Sequence, residues 1–264
     1  MLLDGRKGQL TARDEEILTD IFLTGFLLTS QMAAMHFSSH STAKDRLHRL
    51  RYKGYLYYEL YAPGDNLWYL TKEAFLREAN NAETGETKAP LPPKERVAHD
   101  VQVNDLYVAT APGLDASLGP WPEWTWNNEN RARRHYVRAG RDREYRPDAE
   151  VRFGGNLFVI ERQRSDARAS RGAILSRMAD YADYLHNQTQ EATDAHILWA
   201  CDTERDMRYA LEGAEKYDLY TIADGVDEVA EHMLRIAREI AGDDYDIEED
   251  EDAVEEEADF GESA

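Results

Sequence analysis

From position 11 to about position 53, apolar residues recur every three or four places, the spacing of one buried helix face. The first run is Ile17, Leu18, Ile21 and Phe22. It follows Thr11-Ala12-Arg13-Asp14-Glu15-Glu16, a hydroxyl N-cap with acids in the first turn, and Gly25 closes it. A second, shorter helix is predicted over 30–37, carrying Met32, Ala33, Met35 and Phe37. Ser38-Ser39-His40-Ser41 then turns the chain into a third helix over 42–53, stopped by Gly54. Ala43, Leu47 and Leu50 form its inward stripe, which leaves Thr42, Asp45, Arg46, Arg49 and Lys53 outward. The pattern next becomes strand-like over 55–61 and 67–70, joined by the strong turn formers Ala62-Pro63-Gly64-Asp65-Asn66. Thr71-Lys72-Glu73-Ala74 opens another helix.

Residues 80–93 are rich in Asn, Thr, Gly and Pro, lack periodicity, and read as a linker. Beyond them a helix is predicted over 94–110, closed by Pro112-Gly113. A strand over 121–127 and a basic loop or short helix over 131–146 come next. Two short strands follow: one opens with Asp148-Ala149-Glu150-Val151, and the other is Leu157-Phe158-Val159-Ile160-Glu161-Arg162-Gln163. Gly154-Gly155 turns between them. An amphipathic helix over 168–187 presents Ile174, Met178, Tyr181, Ala182 and Leu185 on one face. A buried strand over 195–201 and a helix over 227–241 complete the pattern, and no internal repeat is visible.

Composition changes this picture at one end. The 264 residues carry a formal charge of −21. Residues 243–264 hold 13 acids and no Lys or Arg, so the other 242 residues balance 39 acids against 31 bases. The last 22 residues therefore read as a disordered acidic tail, either a solvated end or a mimic of nucleic acid. Only seven bases are Lys, which suits a halophilic or GC-rich host. A single cysteine, Cys201, excludes an internal disulfide and fits a reducing, cytoplasmic compartment. The apolar stretch 21–28 is too short to cross a bilayer, and the N-terminal residues lack a secretory pattern.

The chemistry gathers around the Gly154-Gly155 hairpin. Asp148 and Glu161 would meet at one end of it, and two carboxylates brought together suit an oxygen-preferring ion such as Mg²⁺. Glu129 and His99 are further candidates for the same site. Arg131, Arg133, Arg134, Arg138, Arg141, Arg143 and Arg146 precede the pair, and Arg162, Arg164, Arg168 and Arg171 follow it. This is either a surface for phosphates or an ion-paired face. In the first half, Arg46 and Arg49 would reach base edges or phosphates, with Thr42 beside them and Lys53 on the backbone, if the third helix enters the major groove of double-stranded DNA. The tyrosines at 52, 55, 57, 58 and 61 read as hairpin core and partner-facing surface, consistent with a homodimer.

Three short helices followed by a hairpin are the winged helix-turn-helix plan, and the second half resembles the PD-(D/E)xK nuclease core in both motif and αβββαβ order. The resemblance implies that Asp148 and Glu161 are metal ligands and that Gln163 stands where lysine is usual. The chain as a whole looks like the replication-relaxation family of plasmid- and virus-associated proteins. The matching pieces are Leu10-Thr11-Ala12-Arg13-Asp14, Tyr69-Leu70-Thr71-Lys72, His99-Asp100-Val101-Gln102-Val103-Asn104-Asp105-Leu106, Arg146-Pro147-Asp148 and Val159-Ile160-Glu161. The second acid strand of that family often runs Glu-x-Asp, where this chain has Glu161-Arg162-Gln163. The expected fold is of the α+β or α/β class: a winged helix-turn-helix domain (8–79), a linker (80–93), a PD-(D/E)xK-like domain (94–242) and an acidic tail (243–264). The expected function is DNA binding in replication or maintenance of a plasmid or other mobile element. The alternative is a Mg²⁺-dependent endonuclease or nickase targeted by the winged helix.

Overall fold

The computed structural model describes residues 9–89, 96–163, 170–188 and 195–242. It is a mixed α and β structure. The tail and the arginines Arg164 and Arg168 lie outside the described residues.

Local chemistry sets the first elements close to where the pattern puts them. Helix α1 (Ala12–Thr24) opens on a capping box in which Thr11 and Asp14 exchange side-chain-to-backbone bonds. Gly25, at φ +90°, ends it. Strand β1 (Leu27–Leu28) leads into α2 (Thr29–His36), and Ser39 caps α3 (His40–Tyr52). The hairpin β2 (Leu56–Ala62) and β3 (Asp65–Leu70) turns at Pro63-Gly64. With β1 it forms an antiparallel sheet of order β1-β3-β2. Thr71 caps α4 (Lys72–Asn81).

Helix α5 (Val97–Leu118) departs from expectation by running through Pro112-Gly113 to Gly119. Pro112 leaves only the Val108 carbonyl without its helical N–H, and burial of Tyr107, Ala111 and Leu114 in the core holds the helix through it. At Gly113, a Cβ would stand 2.6 Å from Leu234 Cδ2, so the glycine admits a packed helix. Tertiary packing thus overrides the breaker signal.

The stretch expected as a basic loop or short helix is mostly a hairpin. After β4 (Thr125–Asn128) and the single turn α6 (Glu129–Ala132) come β5 (Arg134–Arg138) and β6 (Arg141–Tyr145). Ala139 and Gly140 both have positive φ, as a two-residue hairpin turn requires. Strands β7 (Ala149–Phe153) and β8 (Asn156–Gln163) follow, then α7 (Arg171–Gln188) and β9 (Ala195–Cys201). Helix α8 (Glu204–Tyr217) and strand β10 (Thr221–Asp224) were not anticipated, and α9 (Val226–Ala241) ends the described chain.

Strand order in the main sheet is β10-β9-β8-β7-β4. The β4–β7–β8 side is antiparallel and the β8–β9–β10 side parallel. Alternation along the strands divides the core. Ala149, Val151, Phe158, Ile160 and Leu198 join the packing with α5 and α9, while Leu157, Val159, Ile197 and Trp199 pack with Ile174, Met178 and Tyr181 of α7. The first cluster also includes Ile17, Phe22 and Trp68, so it runs continuously from α1 into the main sheet.

Polar contacts across the same boundary complete the end of α1. The last-turn carbonyls of Phe22 and Leu23 accept bonds from Arg131 Nη1 (2.7 Å) and Asn128 Nδ2 (3.2 Å). Asn104 donates to the Phe26 carbonyl at 2.7 Å, and Tyr107 donates to Asp20 at 2.5 Å. Among the described residues no helix is long and apolar enough to cross a membrane.

Candidate functional site

Pairing between β7 and β8 sets the site. The last ladder pair is Ala149 with Ile160, which makes Asp148 and Glu161 the next position outward. Asp148 donates its backbone N–H to the Ile160 carbonyl (3.0 Å), and its Oδ2 accepts from the Arg162 N–H (2.9 Å). By alternation Asp148, Glu150, Glu161 and Gln163 share the sheet face that α7 covers. Asp148 and Glu161 are both almost completely buried.

Each carboxylate is held by donors from the protein. Asp148 Oδ1 lies 3.0 Å from Arg96 Nη2 and 2.9 Å from His99 Nε2. Glu161 accepts from the Tyr181 hydroxyl on one oxygen and from Arg177 Nη1 on the other. Arg96 also bridges to Glu129 at 2.6 Å, and Glu129 takes Arg133 (3.1 Å) and Arg146 as well. The structure therefore brings Asp148, Glu161, Glu129 and His99 into one connected group, with Gln163 at the end of the same strand.

Environment moves the acids apart. Burial pushes Glu161 up to about 7, reinforced by the neighbouring Asp148 charge and opposed by Arg177 and Tyr181. Burial would also raise Asp148, but the His99 ring close against it, the Arg177 charge and the Arg162 N–H outweigh it, so that carboxyl lies below its ordinary value. Asp100, the neighbour of His99, is raised by burial to about 6 against the pull of Arg96 and His99.

Among the described residues, no group of three or more His, Cys, Asp or Glu is arranged to hold a metal ion. All four oxygens of Asp148 and Glu161 already face protein donors, so a Mg²⁺ ion joining the pair would have to displace at least one of them.

Most of the expected arginine surface is committed to acids. Arg131 pairs with Glu86, Arg133 with Glu129 and Glu144, Arg134 with Glu150, Arg138 with Asp183, Arg143 with Asp180 and Arg146 with Glu129. Arg141 stands exposed beside the hairpin turn.

On α3, Ala43, Leu47 and Leu50 are buried as expected, and Thr42, Asp45 and Arg49 are exposed. Lys53 is half-buried at the helix C-cap. Arg46 departs from the outward reading. Its Nε lies 2.5 Å from Asp14 Oδ1, its Nη2 bonds the other oxygen, and it reaches Thr11 Oγ1 at 3.2 Å. A buried acid one helix away draws it inward. Beside it lies a groove of about 560 Å³ lined by Arg13, Phe37, Thr42, Asp45, Arg46 and Arg49, among others.

Sequence reasoning missed Arg96 and Arg177 and placed Tyr181 only in the core. The available signal was a polar-tipped tyrosine inside the apolar stripe of α7, one turn after an arginine, which puts both on one face.

Comparison with protein families finds one described as replication-relaxation, whose model matches residues 18–198, more than half of the chain. No curated protein matches the chain, and neither does any solved structure.

Proposed function

The chain belongs to the replication-relaxation family, and from that premise we propose that it binds double-stranded DNA in the replication or maintenance of a plasmid or other mobile element. We read α1–α3 with the β2–β3 hairpin as a winged helix-turn-helix, and the α5-to-β9 region as a nuclease-like fold that serves as a scaffold. The observation that carries the DNA reading is the surface of α3. Thr42 and Arg49 are exposed opposite the buried Ala43, Leu47 and Leu50, along a groove that Arg13 also lines.

Fluorescence anisotropy with a labelled mixed-sequence duplex at several salt concentrations tests this. Wild-type protein should bind with an affinity that falls as salt rises. Arg49→Ala should weaken binding by about 1–3 kcal/mol if Arg49 reads a base, or reduce the salt slope by about one if it contacts phosphate. No binding at low salt would overturn the reading.

One observation favours the endonuclease alternative: Asp148 and Glu161 are neighbours on one face of the sheet. Incubation of supercoiled plasmid with protein and Mg²⁺ or Mn²⁺ separates the two. Metal-dependent nicking that Asp148→Ala and Glu161→Ala abolish would establish the enzyme, and intact plasmid would retain the scaffold reading.

A further inference from the structure

Position 163 of this chain is a neutral glutamine, so β8 itself places no lysine charge beside the acids. A positive charge arrives instead from the helix packed over them. Arg177 lies one turn before Tyr181 on α7, and the buried Ile174, Met178 and Tyr181 fix that helix against the sheet. The two side chains take both oxygens of Glu161. The Arg177 charge also acts on Asp148, whose own oxygens meet Arg96, His99 and the Arg162 N–H.

We propose that Arg177 is the resident cation of this carboxylate pair, an internal guanidinium that closes the site to divalent metal. A metal ion joining Glu161 and Asp148 would have to displace the Arg177 bond and then sit beside its like charge in a buried setting, where such repulsion is poorly screened. The remaining protein groups at the pair cannot offset that repulsion. Arg96 brings further positive charge, Arg162 contributes only its backbone N–H while its guanidinium binds Asp202, and Tyr181 is a neutral donor. The proposal rests on the scaffold reading of the second domain and adds a cause for it: the acids persist as partners of arginine.

The test is metal binding by the full chain at about pH 8, where Glu161 is largely ionised, followed by calorimetric titration and by thermal unfolding in Mn²⁺, Mg²⁺ or EDTA. Wild-type protein should give no saturable heat and the same Tm in all three. Arg177→Lys keeps the charge and should behave alike. Arg177→Met keeps an apolar stem without charge and should acquire saturable Mn²⁺ binding, with a higher Tm in Mn²⁺ than in EDTA. Saturable binding by the wild type or by Arg177→Lys would overturn the proposal, as would a folded Arg177→Met indifferent to metal. Should Arg177→Met fail to fold in any buffer, the wild-type and Arg177→Lys titrations decide. DNA anisotropy on the same samples keeps the outcomes apart. Metal binding with DNA affinity retained rejects only the resident cation, whereas lost DNA binding without metal uptake rejects only the DNA reading.

Discussion

Arg46→Ala separates a clamp from a DNA contact. Asp14 is completely buried, and its two oxygens take Nε and Nη2 of Arg46. Removing one partner of a buried ion pair costs about 3–5 kcal/mol, because the remaining charge is left without compensation. Two features reduce that here: Asp14 still accepts the Thr11 N–H at 2.9 Å, and Arg46 is 25% exposed. A loss of about 2–4 kcal/mol is therefore expected. At about 2–4 °C per kcal/mol for a chain of roughly this size, Tm should fall by about 4–16 °C. The loss should also depend on pH. Burial raises the Asp14 carboxyl, but bonds from Arg46 and Thr11 outweigh this and hold it below its ordinary value of 3.8. Its stabilising contribution is thus present above about 3.8 and disappears as pH falls through the lowered folded value, so the penalty should shrink in strong acid. Asp14→Asn combined with Arg46→Ala should recover part of the loss, since a neutral amide leaves no buried charge. Urea and thermal unfolding measure the stability, and duplex anisotropy on folded protein measures the contact. An unchanged Tm together with lost DNA affinity would refute the clamp.

The boundary between the two halves and the carboxylate group yield two more expectations. Gln31 is buried, accepts from the Leu28 N–H at 2.9 Å, and donates to the Val101 carbonyl and to Asp105 at 3.0 and 2.8 Å. Gln31→Ala strands those groups and should cost about 1–3 kcal/mol in urea unfolding. A change within roughly 0.5 kcal/mol would place the coupling between α2 and α5 elsewhere. Glu161 is raised by burial from 4.5 to about 7, so its contribution favours the folded state below about 4.5 and is lost as pH rises through about 7. Glu161→Gln should flatten that part of the stability curve, leaving the similarly directed slope from Asp100, raised to about 6. A steeper decline between pH 5 and 8 in the variant than in the wild type would contradict this assignment.

Legibility in the sequence followed the range of the interactions. Helices α1, α3 and α4 were readable because each start is marked by a local cap (Thr11, Ser39, Thr71) and each face by short-range periodicity. The β5–β6 hairpin was not, because it alternates apolar and charged residues weakly and its arginines mask the turn at Ala139-Gly140. Strand β10 is short and half-buried and gives no strong pattern, whereas α8 did carry local signals, a Thr203 cap with Glu204 and Asp206 in its first turn, that the sequence reading passed over. In the site, Asp148 and Glu161 were found because a hairpin turn relates them within fourteen residues. Arg96 and Arg177 were not found, since nothing nearby in the chain names their partners.

By itself the sequence determined the periodic elements, the caps, the turn at Gly154-Gly155 and hence the register that makes Asp148 and Glu161 neighbours. These depend on contacts within a turn or across one hairpin, where residue type and spacing are sufficient. Only the tertiary structure decided that α5 continues through Pro112, that Arg46 faces Asp14, and that Arg177 and Arg96 close over the acids. Each of these is a choice of partner made by side chains far apart in the chain. A long arginine has many reachable acids, and burial of one particular carboxylate selects among them.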